Sequence, residues 1–226
     1  MHYQPGAVMC NLLLADEINR ASARTQSALL EAMEEYTVTV DGITHPLPSP
    51  FMVIATQNPA GSSGTQLLPE SQTDRFMIRL SIGYPDEAME LKMLTRKFGE
   101  YGLEPIQQVA DAVSLLEMKR KVGEVYLDPS IYQYILSLVR ATRTHELISQ
   151  GASPRCSVAL TALSQAAAYV AGRDYVIPQD VQSVYTDCVA HRLVLAPQTK
   201  RDRITPEEIL ARIIKSTKSP KLEARP

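Results

Sequence analysis

Asn11-Leu-Leu-Leu-Ala-Asp16-Glu17-Ile-Asn-Arg20 is the stretch that decides the fold. Leu12 to Ala15 form an unbroken apolar run, which reads as a short strand buried in a parallel sheet. Two carboxylates follow at its carboxyl end, where open parallel sheets gather their chemistry. Neighbouring side chains on an extended backbone point to opposite faces, so Asp16 and Glu17 are suited to different tasks. One can hold a cation while the other polarises a water. A polar strand exit without chemistry is the plain alternative. The phosphate-cradling loop Gly-x-x-x-x-Gly-Lys-[Ser/Thr] occurs nowhere in the 226 residues.

Working outward, Ser22 is placed to cap a helix in which Thr25, Ala28, Leu29, Ala32 and Met33 share one face, with Glu31, Glu34 and Glu35 mostly off it. Thr37 to Val40, then Asp41-Gly42, then Ile43 to Leu47 read as a hairpin, because Asp-Gly supplies the positive φ angles of a tight turn. Phe51 to Thr56 is a second buried strand, closed by Gln57-Asn58-Pro59. Phe76, Ile78, Leu80 and Ile82 alternate with Met77, Arg79 and Ser81, which predicts a third strand.

Near Gly83-Tyr84-Pro85 the pattern turns helical. Asp86 can cap a helix running to about Phe98, and a second helix is expected over Ile106–Lys121. Asp128-Pro129 is a cap followed by proline at the first helical position, leading into Ile131, Ile135, Leu136, Leu138 and Val139. Further helices are expected over Ser157–Ala171, from Pro178, and from the capping box Thr205-Pro-Glu-Glu208. The fold class is therefore α/β plus all-α: residues 1–83 as a partial sheet with a hairpin and an exposed edge, residues 84–226 as a helical domain.

Lys and Arg total 23 against 25 Asp and Glu, and a net charge of −2 offers no electrostatic case for nucleic acid or an anionic membrane. No apolar run approaches the roughly 20 residues of a bilayer span. Cys10, Cys156 and Cys188 are few, odd in number and far apart, which points to a reducing compartment and hence the cytoplasm. Cys188 and His191 share a helix face and form a candidate metal pair, weighed against a buried Cys beside a surface His. Asn58 before Pro59 is also ordinary turn chemistry, Arg75 can simply pair with Asp74, and Arg155 can be a surface residue before a helix.

Order and spacing join these residues. Leu12-Leu-Leu-Ala-Asp-Glu-Ile-Asn-Arg-Ala21, Gln26-Ser-Ala-Leu-Leu-Glu-Ala-Met33, Val38-Thr-Val-Asp-Gly42, Val53-Ile-Ala-Thr-Gln-Asn-Pro59, Leu68-Pro-Glu70, Asp74-Arg-Phe76 and Gly151-Ala-Ser-Pro-Arg155 together resemble the MoxR family of AAA+ ATPases. Gly172-Arg-Asp-Tyr-Val-Ile-Pro178 and Ala190-His-Arg-Leu193 extend the likeness over nearly the whole chain. It implies the C-terminal part of an AAA+ core with a hairpin insertion, followed by a helical lid domain, in a sequence that begins partway through the core.

By that resemblance Asp16 is the Walker B aspartate that holds Mg²⁺ through its water shell, and Glu17 orients and activates the attacking water. Asn58 is sensor 1. Arg75 is the arginine finger acting on a neighbouring subunit's nucleotide, and Arg155 is sensor 2, coupling phosphate state to lid position. The implied cofactors are ATP and Mg²⁺. The implied assembly is a ring, a hexamer, with chaperone-like work on protein clients, metal-cofactor insertion or complex assembly, beside von Willebrand factor A domain partners. Cys156, Ser71 and Thr73 depart from the family's usual residues without removing a charge. The segment alone is expected to hydrolyse no ATP, since a carboxylate pair does not replace the phosphate cradle. A non-catalytic interaction module built on the same core is the alternative.

Overall fold

A computed structural model describes residues 4–57, 68–95 and 107–221. Strand β1 (Leu12–Ala15) pairs in parallel with β4 (Met52–Ala55), Leu12 opposite Met52 and Ala15 opposite Ala55. Leu13 and Val53 are partly covered, but the other face is open, with Leu14 65% and Met52 56% exposed. The expectation of two buried strands is thus corrected: Leu12, Leu14, Met52 and Ile54 share one face of the sheet and are exposed.

Helix α1 (Ala23–Glu35) begins where expected, the Ser22 hydroxyl accepting from Thr25 N at 3.2 Å. Its covered side differs from the expected one. Gln26, Leu30 and Ala32 are buried, while Thr25 and Ala28 face outward. The Gln26 amide explains part of the rotation, donating to Ile18 O at 3.1 Å and Ala21 O at 3.2 Å. Strands β2 (Thr37–Val40) and β3 (Ile43–Pro46) form the expected hairpin, with Asp41 at φ 50° and Gly42 at φ 79° supplying the turn.

The strand expected over residues 76–82 does not form. After the short helix α2 (Glu70–Thr73) the chain runs irregularly to α3 (Glu87–Thr95), and Leu80 and Ile82 are exposed. Alternation gives a strand only where a sheet edge supplies partners. Here the backbone has others: the Phe76 and Met77 carbonyls accept from Arg192, and Arg79 N donates to Asp187 O at 3.0 Å. Asp86 caps α3, donated to by Met89 N at 2.8 Å; its expected extension to Phe98 lies outside the described residues. The next helix, α4 (Ala112–Glu124), starts later than expected because Asp111 and Ser114 close a capping box there.

The core belongs to the helices that follow. In α5 (Pro129–Thr144), Ile131, Ile135, Leu138 and Val139 are buried, whereas Leu136, expected with them, is 39% exposed. They meet Leu160 of α6 (Pro154–Val170), Val181 and Tyr185 of α7 (Pro178–Val189), and Ile209, Leu210 and Ile213 of α9 (Pro206–Ser216). Between α7 and α9 lies the short α8 (Gln198–Asp202). The all-helical expectation needs one correction: β5 (Ile148–Gln150) and β6 (Val194–Leu195) make a small antiparallel ladder. Among the described residues no helix is long and apolar enough to cross a membrane.

Candidate functional site

Three hydrogen bonds arrange the acidic turn after β1. Thr56, one residue past β4, donates its hydroxyl to Asp16 Oδ1, and the Thr56 Oγ1 in turn accepts from Glu17 N at 2.9 Å. Ile18 N donates to Thr56 O at 3.1 Å. Glu17 adopts φ 47°, a left-handed conformation uncommon for a residue with a side chain. The two carboxylates consequently part: Asp16 stays exposed beside Thr56, and Glu17 turns to Arg20, Nη1 to Oε2 3.1 Å. Thr56 was not singled out from sequence; its place at a strand end facing two carboxylates was the available signal.

The hard oxygens of Asp16 and Thr56 fit the chemistry of Mg²⁺, which takes one or two carboxylates with water and phosphate oxygens. They are too few for a protein-only cage, and among the described residues no group of three or more His, Cys, Asp or Glu could hold a metal. Asn58 lies outside the described residues.

The two arginines come together at the other end of α1. Arg75 Nη1 lies 2.6 Å from Glu34 Oε2, and Arg155 Nη1 pairs with Glu34 Oε1. Gln26 holds the acidic turn beside the first turns of α1, and Glu34 lies about 12 Å farther along the axis at ~1.5 Å per residue. The predicted site residues are therefore two groups, acidic and basic. Arg75 does not pair with its neighbour Asp74, which corrects that plain alternative. Asp74 instead accepts from Arg192 Nε at 2.9 Å and from Ser153 Oγ at 2.9 Å.

Arg192 organises this region. Its side chain is only 2% exposed, and it donates to Asp74 O at 3.2 Å, Phe76 O at 2.6 Å, Met77 O at 3.2 Å and Cys188 O. Such a fork suits guanidinium and no other side chain. Beside it an open cleft of about 740 Å³ is lined by Leu68, Pro69, Ser71, Asp74, Gly151 and Ser153. The candidate metal pair dissolves here. Cys188 is fully buried against Cys156, whose thiol is pushed well up by its hydrogen bond to Cys188 and then by burial. His191 Nε2 is engaged with Phe76 O at 3.0 Å.

Residues 1–78 match the family described as ATPase family associated with various cellular activities (AAA), and residues 140–213 match the AAA lid domain. Protein YeaC of Bacillus subtilis is 45% identical over 218 residues, covering 96% of this chain and 68% of that protein. Chaperone MoxR1 of Mycobacterium tuberculosis is 40% identical over 232 residues, 98% of this chain and 60% of that protein. A solved structure from Cytophaga hutchinsonii, described as a candidate ATPase, superposes with TM-score 0.89 at 36% identity over 96% of this chain and 69% of its own. A full-length MCM homologue from Methanopyrus kandleri, at 20% identity and TM-score 0.54, shares the fold alone. The chain thus spans roughly two thirds of the length of the first three.

Proposed function

Since this chain belongs to the MoxR family of AAA+ ATPases, we propose that it carries the water-activating and inter-subunit half of a ring-forming ATPase with chaperone-like action on protein clients. Metal-cofactor insertion or complex assembly, with von Willebrand factor A domain proteins as partners, is the client work proposed for a hexameric ring in the cytoplasm. In this reading Asp16, held by Thr56, is the carboxylate for Mg²⁺ and its waters, and bound Mg²⁺·ATP supplies the phosphoryl group and the charge to be stabilised. Glu17 takes a proton from the attacking water. Asn58 orients that water. Arg75 stabilises charge on the nucleotide of the adjacent subunit, and Arg155 meets the phosphate and couples its state to the position of the lid.

The observation that supports this division most is the pairing of both arginines on Glu34, at the far end of α1 from Asp16 and Glu17. Neither guanidinium is paired with Asp16 or Glu17 of its own chain. In the full-length protein, Arg75→Ala is expected to leave ATP binding nearly intact and to cut turnover roughly a thousandfold, about 4 kcal/mol of barrier. Mixed rings decide between the readings. Arg75→Ala subunits combined with Glu17→Gln subunits regain part of the activity if Arg75 acts across the interface, because some interfaces join an intact Glu17 to an intact Arg75. Rings shown to be mixed yet still inactive would refute it. A parent with no Glu17-dependent ATP turnover at all would favour the interaction module.

A further inference from the structure

Glu34 stands where its own helix disfavours it. It occupies the last turn of α1, whose carbonyl end carries partial negative charge, alongside Glu31 and Glu35 and with no basic residue in that turn. Arg155 is placed against its helix too, immediately after Pro154 in the first turn of α6, at the positive end of the dipole. Ser153, the cap residue of α6, makes no cap bond with its side chain and donates to Asp74 instead. Three local preferences are thus broken within one small volume, the mark of residues placed for something other than stability.

The breaches cancel only in combination. Two guanidiniums, one from the segment after α2 and one from α6, would repel each other if brought together bare. A shared carboxylate, half-buried at 29% side-chain exposure and engaged through a different oxygen by each, removes that repulsion. We propose that Glu34 is a positioning residue: the common counter-ion that holds Arg75 and Arg155 side by side, so that they meet a phosphoryl group as one clasp rather than as two independent cations. The role rests on the reading of these arginines as charge stabilisers in turnover. Glu34 itself touches no reacting atom.

The test uses the full-length ring protein and Mg²⁺·ATP. Glu34→Gln should lower kcat roughly tenfold to a hundredfold, with the KM for ATP and ring assembly within about twofold of the parent. Glu34→Asp, which keeps the charge on a shorter arm, should recover part of the loss and guards against a failure of the amide variant to fold. In an Arg75→Ala background Glu34→Gln should cost no more than about twofold further, since residues acting as a unit are not additive. A merely structural Glu34 would lower the melting temperature and cut kcat by the same factor in both backgrounds, which overturns the proposal. Turnover by Glu34→Gln within about twofold of the parent also overturns it, provided Arg75→Ala is impaired. If Arg75→Ala is itself fully active, the reading of the arginines fails first and Glu34 falls with it.

Discussion

Replacing Arg192 by Met should cost the chain about 3 to 4 kcal/mol of stability. The side chain is 2% exposed and binds Asp74 Oδ1 at 2.9 Å together with backbone carbonyls of Asp74, Phe76, Met77 and Cys188. Removing one partner of a buried ion pair costs roughly 3–5 kcal/mol, because the other charge is left behind. Asp74 is 23% exposed and keeps Ser153, which places its share at the low end; the abandoned carbonyls add about 1 kcal/mol. For a chain of this size the sum corresponds to a fall in Tm of about 10 °C. Arg192→Lys keeps the charge but not the planar fork and should fall between the two. Equilibrium unfolding of the chain in urea, by circular dichroism, gives the measurement. The pair Arg192→Met with Asp74→Asn should fall short of additivity by about 1 kcal/mol or more. A loss below about 1 kcal/mol for Arg192→Met, or strict additivity, would refute the assignment of Arg192 as the clamp on the Asp74-Arg75 segment.

Gly151→Ala should be strongly destabilising, since a Cβ there would lie 2.6 Å from Arg143 Cα and 2.7 Å from both Arg143 N and Thr142 C, all backbone of α5. A loss of about 3 kcal/mol is expected in thermal unfolding, and one under about 1 kcal/mol would show that the loop yields. His191 is pushed down to about 4 by burial first and by the Arg192 charge second, so the folded chain holds it neutral while the unfolded chain takes up a proton near pH 6.5. Stability from this group is therefore full above about pH 6.5 and declines as the pH falls towards about 4, by about 2 kcal/mol after allowance for partial exposure. His191→Gln should flatten that slope in pH-dependent unfolding; an unchanged slope contradicts the assignment.

What could be read from sequence was chemistry completed within a few residues. The Ser22 and Asp128 caps, the Asp41-Gly42 turn and the Thr205–Glu208 box each need only the next three or four positions, and each forms as expected. The misread elements depend on partners distant in the chain. Residues 76–82 alternate like a strand, but alternation does not reveal that Arg192, some 110 positions later, takes the carbonyls a ladder would use. Glu34 reads from sequence only as a residue off the apolar face of α1, because nothing within α1 reports that Arg75 and Arg155 arrive there. Thr56 offered only its place at a strand end, because the carboxylate that it meets lies 40 residues earlier. Asp16 and Glu17 were recognised by their place at a strand end, while the hydroxyl that parts them sits 40 residues away from Asp16.

The Asp74-Arg75 dipeptide joins these separate pieces. Asp74 is tied to Ser153 and Arg192 in the helical part, and Arg75 to Glu34 at the end of α1. Ser153 precedes Pro154-Arg155, so the group holding Asp74 is two residues from the second arginine on Glu34. The circuit closes: Glu34 to Arg75, Asp74 to Ser153, Arg155 back to Glu34. A shift of α6 therefore acts on both arginines, since Ser153 is bonded to Asp74, the neighbour of Arg75, and lies two residues before Arg155. Two guanidiniums displaced together keep their spacing and change only their aim. Under the proposed function, that linkage is what two arginines meeting one phosphoryl group together would need.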